Sequence, residues 1–121
     1  MYYVPIQPKE FVLQFASFLL KSNSLRFGVF NLASGKQSAY YIDLRMLPSF
    51  PGYFRLGISA LKDMVAEKIG GFDTFASVPT SGLVFGSALA YEMNKPFIYV
   101  RKEPKAYGTN KMIEGFLEPG S

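Results

Sequence analysis

In the stretch RKEPKAYGTNKMIEG, residues 101 to 115, Arg101, Lys102, Lys105 and Lys111 fall within eleven residues, with Glu103 the only acid among those eleven. Such a density of cations has two readings: a solvated hairpin tip, or a site that neutralises an anion. A second candidate is the turn Pro79-Thr80-Ser81-Gly82. Thr80 and Ser81 are types that cap a helix, and Gly82 lets the backbone approach a ligand closely. Free amides at a helix start favour phosphate or pyrophosphate, although a merely capped helix would use the same residues.

What the chain lacks narrows the chemistry. There is no Cys and no His. That excludes disulfides, a thiol nucleophile, Ser-His-Asp catalysis and every metal site built on those ligands. Catalysis would have to run on carboxylates, Lys, Arg, Tyr, backbone amides or a metal carried by the substrate. Neither a P-loop nor a dinucleotide-binding glycine pattern is present. Lys plus Arg is 13 against 9 Asp plus Glu, a net +4 that favours phosphorylated metabolites; the bias is too mild to suggest nucleic acid. The apolar stretch Phe11–Leu20 is interrupted by Gln14 and Ser17, too short to span a bilayer and unlike a signal peptide, so a cytoplasmic protein is expected.

These residues need elements to hold them. With 121 residues and 49% apolar content, one domain at most with a real core is expected. After a Pro-punctuated lead-in, Met1 to Lys9, a helix is predicted from Pro8 to Lys21, with Phe11, Phe15, Phe18 and Leu19 on its core face. Leu25–Leu32 and Tyr40–Leu44 read as a hairpin joined by ASGKQSA, and Pro48–Gly52 as a loop. Helical spacing of Phe54, Ile58, Leu61 and Val65 predicts a helix over 53–69, stopped at Gly70-Gly71. Phe72–Val78, Leu83–Met93 and Pro96–Val100 form a strand-helix-strand unit, which predicts a parallel pair with ligands at its carboxyl ends. Those ends are the Pro79–Gly82 turn and the cationic stretch.

Taken in order, FGVFNLASGKQSAYYIDLR, FASVPTSGLVFGSALA and PFIYVRKEPKAYGTNKMIEG resemble the orotate phosphoribosyltransferases, enzymes of the type I phosphoribosyltransferase fold. The resemblance runs from about Arg26 to Gly120. It implies an α/β fold: a parallel sheet with flanking helices and a small amino-terminal hood hairpin. The chain would be the amino-terminal part of a single such domain, truncated on its carboxyl-terminal side, with the hood at about 24–48 and a partial core at about 53–121.

The activity implied is transfer of the 5-phosphoribosyl group from phosphoribosyl pyrophosphate (PRPP) to orotate, giving orotidine 5'-monophosphate and pyrophosphate in pyrimidine biosynthesis. Mg²⁺ would come bound through PRPP, with no metal ligand on the protein. By resemblance, Arg101, Lys102, Lys105 and Tyr107 contact the pyrophosphate from a mobile loop, 101–110, that serves the neighbouring subunit of a homodimer. Lys105 is the expected catalytic residue. Thr80, Ser81 and Gly82 would bind the pyrophosphate through backbone amides, while Ser34, Gly35, Tyr40 and Tyr41 would surround the orotate ring. Two positions depart from the family: Tyr107 stands where His is frequent, and Ala33 where many relatives have Lys. The acidic pair and TTG-type loop that hold the ribose phosphate are not in these residues. The activity is therefore expected of a longer parent protein, and the alternative is a non-catalytic binding or oligomerisation module of the same fold. A purine or uracil transferase is a third, less favoured possibility, opposed by the YYIDLR hairpin.

Overall fold

The computed structural model describes residues 8–105, 108 and 111–121; the lead-in Met1–Gln7 and Tyr107 lie outside the described residues. Two compact units are formed, Met1–Ala60 and Leu61–Ser121.

In the first unit the helical spacing predicted from sequence produces α1, Pro8–Lys21. Its aromatic residues at positions i, i+4 and i+7 stack along one face, Phe11 on Phe15 at 5.0 Å and Phe15 on Phe18 at 5.8 Å between ring centroids. Phe18 is 2% exposed and packs on Tyr53 at 4.6 Å and edge-on to Phe50 at 5.3 Å. Leu47 and Ile58 are buried as well. The chain leaves α1 through Asn23, whose positive φ of 59° is a conformation Asn tolerates after a helix end.

The hairpin follows as β1, Leu25–Asn31, antiparallel to β2, Gln37–Ile42. Its turn is tighter than expected. Gly35 N–H donates to Leu32 O at 2.9 Å and Leu32 N–H to Lys36 O at 2.8 Å, with Gly35 at φ +85°. This is a three-residue connection whose last residue needs the left-handed conformation that glycine adopts freely. Gln37 and Ser38 thus belong to the ladder, paired with Asn31 and Phe30, although their polarity suggested a loop. Between Phe27 and Phe30 the register shifts, so Gly28 and Val29 face Ala39 alone, a β-bulge.

The segment read as a loop over Pro48–Gly52 instead contains a 3₁₀ turn, Leu47–Ser49, and the start of α2, Pro51–Lys68. Pro51 sits where a proline costs the helix no hydrogen bond, at its first residue. The boundary between the units falls within α2.

In the second unit β3, Phe75–Ser77, pairs in parallel with β4, Phe97–Val100, and α3, Ser81–Glu92, connects them. This is the predicted strand-helix-strand unit, with a strand of three residues where Phe72–Val78 was expected. Helix α3 meets the strands at Gly86, where an added Cβ would overlap Ser77 Oγ and lie 3.0 Å from Phe97 Cε2. It ends in a pair of bonds, Asn94 N–H to Tyr91 O and Lys95 N–H to Ala90 O, with Asn94 at φ 54°. That arrangement satisfies the last carbonyls and turns the chain into β4. Leu89, Ala90 and Ile98 are buried there.

A short strand that the sequence did not disclose, β5, Ile113–Glu114, adds antiparallel to β4, giving the order β3-β4-β5. The α/β architecture is as expected, but its sheet is mixed where a parallel one was anticipated. Two residues carry too little periodicity to announce a strand.

Candidate anion site and hood

The carboxyl ends of β3 and β4 are adjacent because the strands run in parallel, and each leads into one of the two candidate segments. Together they line an open groove of about 360 Å³ bounded by Pro79, Tyr99, Arg101, Lys102 and Glu103. The cationic segment and the turn before α3 therefore meet as the topology requires.

Thr80 occupies the N-cap position of α3, yet its side chain makes no capping hydrogen bond. The expectation that Thr80 caps the helix is corrected by its backbone, at φ −107° and ψ −45°, which is helical where a capping residue is normally extended. Thr80 O accepts from Leu83 N–H at 3.3 Å. The amides of Ser81 and Gly82 belong to the first turn, where a helix offers no acceptor of its own, so a ligand can take them. The Pro79–Thr80 peptide is cis. Gly82 lies close under the strand, its would-be Cβ 4.0 Å from Ser77 Cβ.

On the cationic side, Arg101 N–H donates to Met112 O at 2.7 Å, prolonging the ladder between β4 and β5 by one rung. Its guanidinium is held twice: Nη1 lies 3.4 Å from Glu114 Oε1, and Nε donates to Glu103 O at 3.4 Å. Lys102 and Lys105 are exposed, and the segment folds back so that Lys105 N–H reaches Lys111 O at 3.4 Å. Lys105 is not among the described residues lining the groove. Tyr107, the fourth expected contact, lies outside the described residues.

In the hood, Ser34 and Gly35 form the exposed tip, where Lys36 N–H approaches Ser34 Oγ at 3.5 Å. Tyr40 pairs across the ladder with Phe27, and Tyr41 with Arg26. As consecutive strand residues the two tyrosines project to opposite faces, so a single planar ring cannot lie against both from one side. On Tyr41's side the Phe30 ring comes to 5.7 Å and occupies the space that Gly28 leaves open. Phe27 and Val29 are 74% and 78% exposed.

Two groups of residues were not singled out by sequence. Tyr99 lines the groove from β4, and Glu114 stands beside Arg101 on β5, which was not foreseen. Asp43 looked like one of several scattered acids, whereas it is buried at the base of the hairpin. Its carboxylate accepts from Arg45 Nε at 2.9 Å, Arg45 Nη2 at 2.8 Å and Arg45 N–H at 3.0 Å, with Arg26 Nη2 at 3.8 Å. Those bonds, the Arg45 side chain first, hold the Asp43 carboxyl far below the usual carboxylate range and push the Arg45 guanidinium higher still. The signal was present as the D-x-R spacing, which lets an arginine fork reach back to a carboxylate two residues earlier.

Among the described residues no group of three or more His, Cys, Asp or Glu is placed to hold a metal ion. Nor is any described helix long and apolar enough to cross a membrane.

No family model matches the sequence. The chain is 46% identical over 113 residues to an orotate phosphoribosyltransferase of Cenarchaeum symbiosum, a match covering 92% of this chain and 56% of that protein. Among solved structures it is similar to UMP synthase of Leishmania donovani, with TM-score 0.72 and 39% identity, over 90% of this chain and 23% of that one. It is also similar to orotate phosphoribosyltransferase from Aeropyrum pernix, with TM-score 0.69 and 31% identity, over 83% and 56%. The chain spans about half the length of the curated relatives it matches. Over the residues that these matches cover, the chain is similar in sequence to the orotate phosphoribosyltransferases and has the type I phosphoribosyltransferase fold.

Proposed function

We propose that the protein carrying this chain is an orotate phosphoribosyltransferase, and that these residues are the amino-terminal part of its single catalytic domain. The observation that carries the reading is the pairing of a helix start with a cationic segment at adjacent carboxyl strand ends, in a chain 46% identical over 113 residues to such an enzyme. In this reading a ring nitrogen of orotate bonds to C1 of the ribose as the bond from C1 to the pyrophosphate oxygen breaks; the electron pair leaves with pyrophosphate, and the proton that the nitrogen carried is released to solvent. The sugar passes through a cation-like transition state. Such a reaction asks the protein for charge neutralisation on the leaving group and exclusion of water far more than for proton transfer, which a chain without His or Cys can supply.

Arg101 and Lys102 would face the pyrophosphate across the groove, with Lys105 brought in by closure of the loop, and the amides of Ser81 and Gly82 would take its oxygens from the other side. Thr80 belongs to that turn. Ser34, Gly35, Tyr40 and Tyr41 would form the pyrimidine hood, with one tyrosine against the ring. Magnesium would enter as part of the PRPP complex, and no step is assigned to a protein-held ion. The enzyme would act in the cytoplasm as a homodimer in which the 101–110 loop, Tyr107 included, serves the neighbouring site.

The test is orotate-dependent release of pyrophosphate from PRPP by the natural protein. Lys105→Ala should lower turnover by about 100-fold, the scale for removing one group that stabilises charge developing in a transition state, while orotate binding changes little. No orotate-dependent release by the unaltered protein would overturn the reading. Unchanged turnover in the variant would remove Lys105 from it.

A further inference from the structure

Tyr99 and Arg101, which line the groove, share one face of the sheet with Glu114 beside them. Tyr99 and Arg101 are two residues apart, so they project the same way, and Glu114 stands directly across the antiparallel ladder from Tyr99. Glu114 comes to Arg101 Nη1 at 3.4 Å, and both side chains are partly covered, 27% and 36% exposed. With Nε turned to Glu103 O, two of the three guanidinium nitrogens have protein acceptors, and Arg101 still lines the groove.

We infer that Glu114 is a positioning residue: it fixes the Arg101 guanidinium at the rim of the groove so that Nη2 meets an anionic diphosphate. The inference rests on the reading of the groove as a pyrophosphate site. A carboxylate beside an anion site has an opposing effect, because it subtracts positive charge. Orientation outweighs it here for two reasons. The contact is longer than a charge-assisted hydrogen bond of ordinary length and partly solvated, so the neutralisation is weak. An arginine already held in place also loses less side-chain freedom when the anion arrives, and Lys102, exposed beside it, keeps the end of the groove cationic.

The experiment is a double-mutant cycle in the natural protein, read by calorimetric titration with inorganic pyrophosphate. Glu114→Ala should weaken pyrophosphate binding about tenfold when Arg101 is present and not at all in an Arg101→Ala background. Glu114→Gln keeps the shape and a weaker acceptor. It should give a loss of a few-fold, again only with Arg101 present, and it carries the cycle should the alanine variant fold poorly. A merely structural role would give the same loss in both backgrounds, and that result would overturn the inference, as would unchanged or tighter binding in the single variants. Absence of pyrophosphate binding by the unaltered protein would overturn the pyrophosphate reading and this inference with it. Binding without coupling between Glu114 and Arg101 would overturn the inference alone.

Discussion

The hairpin of β1 and β2 and the parallel pair of β3 and β4 both carry residues of the expected site, yet they are held in opposite ways. The parallel pair is fixed by close packing: α3 lies on it through Gly86, and Ile98, Leu89 and Ala90 are buried. The hairpin has large apolar side chains in the open, Phe27 and Val29 among them, and is secured at its base by polar bonds. There Asp43 N–H donates to Ser24 O at 2.7 Å, and the Asp43 carboxylate gathers Arg45 and Arg26. Ser24 is itself fully buried and shares a hydrogen bond with Ser22. In the proposed reading, a cradle for the leaving group would need fixed backbone amides, which packing provides. A ribbon over a flat ring would need free aromatic surface, which a clamp at its root leaves uncovered.

The difference can be broken from either side. The largest effect is expected from Phe18→Ala, which removes the ring at the centre of the aromatic stack in the unit that bears the hairpin. It should cost that unit about 3–5 kcal/mol, the range for emptying a buried phenylalanine site, measured by urea denaturation. Gly86→Ala should cost the other unit about 1–3 kcal/mol through overpacking, because the new methyl meets Ser77 and the Phe97 ring. A loss of similar size in the hairpin, followed by hydrogen exchange of β1 and β2 amides, would remove the distinction between the two regions.

The smallest effect and the most specific is a pH dependence of the hairpin. Asp43 has a folded-state pKa depressed below its unfolded value, so its contribution is present above the unfolded value near 3.8 and is lost as pH falls from there toward the lower folded value. Exchange protection in β1 and β2 should therefore decline below about pH 4. Asp43→Asn should lower protection at neutral pH and flatten that acid limb, leaving β3 and β4 unchanged. An acid limb of the same size in the variant would show that other carboxylates produce it.

The sequence disclosed the elements whose signals are local and repeated. The aromatic spacing of α1 predicted that helix with its observed bounds, and the apolar spacing of α2 and the apolar-turn-helix order around Pro79 each predicted an element that is present, with ends moved by a few residues. What it concealed depended on partners distant in the chain or on backbone detail. Gln37 and Ser38 are strand residues because Asn31 and Phe30 oppose them beyond the bulge, which their own polarity argues against. Glu114 comes beside Arg101 only when β5 pairs with β4. Thr80 has a capping side chain but not a capping backbone, and no propensity distinguishes the two. Asp43 was visible as an acid; its burial was set by the strand end at Ile42 and the buried Ser24 opposite. For the candidate site, the cationic segment and the turn were legible by type and place. The separation of Tyr40 and Tyr41 onto two faces was written in their adjacency, once β2 was known to run straight through both.

The bulge at Gly28 and Val29 bears on solubility. A two-stranded ribbon with exposed Phe27, Val29 and Tyr40 has the composition of a template on which further strands could add edge to edge. Two residues facing one interrupt the even spacing of backbone donors and acceptors along β1 and increase its local twist, so a second straight strand meets a broken row. The irregularity that lets Phe30 fold over Gly28 thereby also discourages the ribbon from seeding a larger sheet with its own copies.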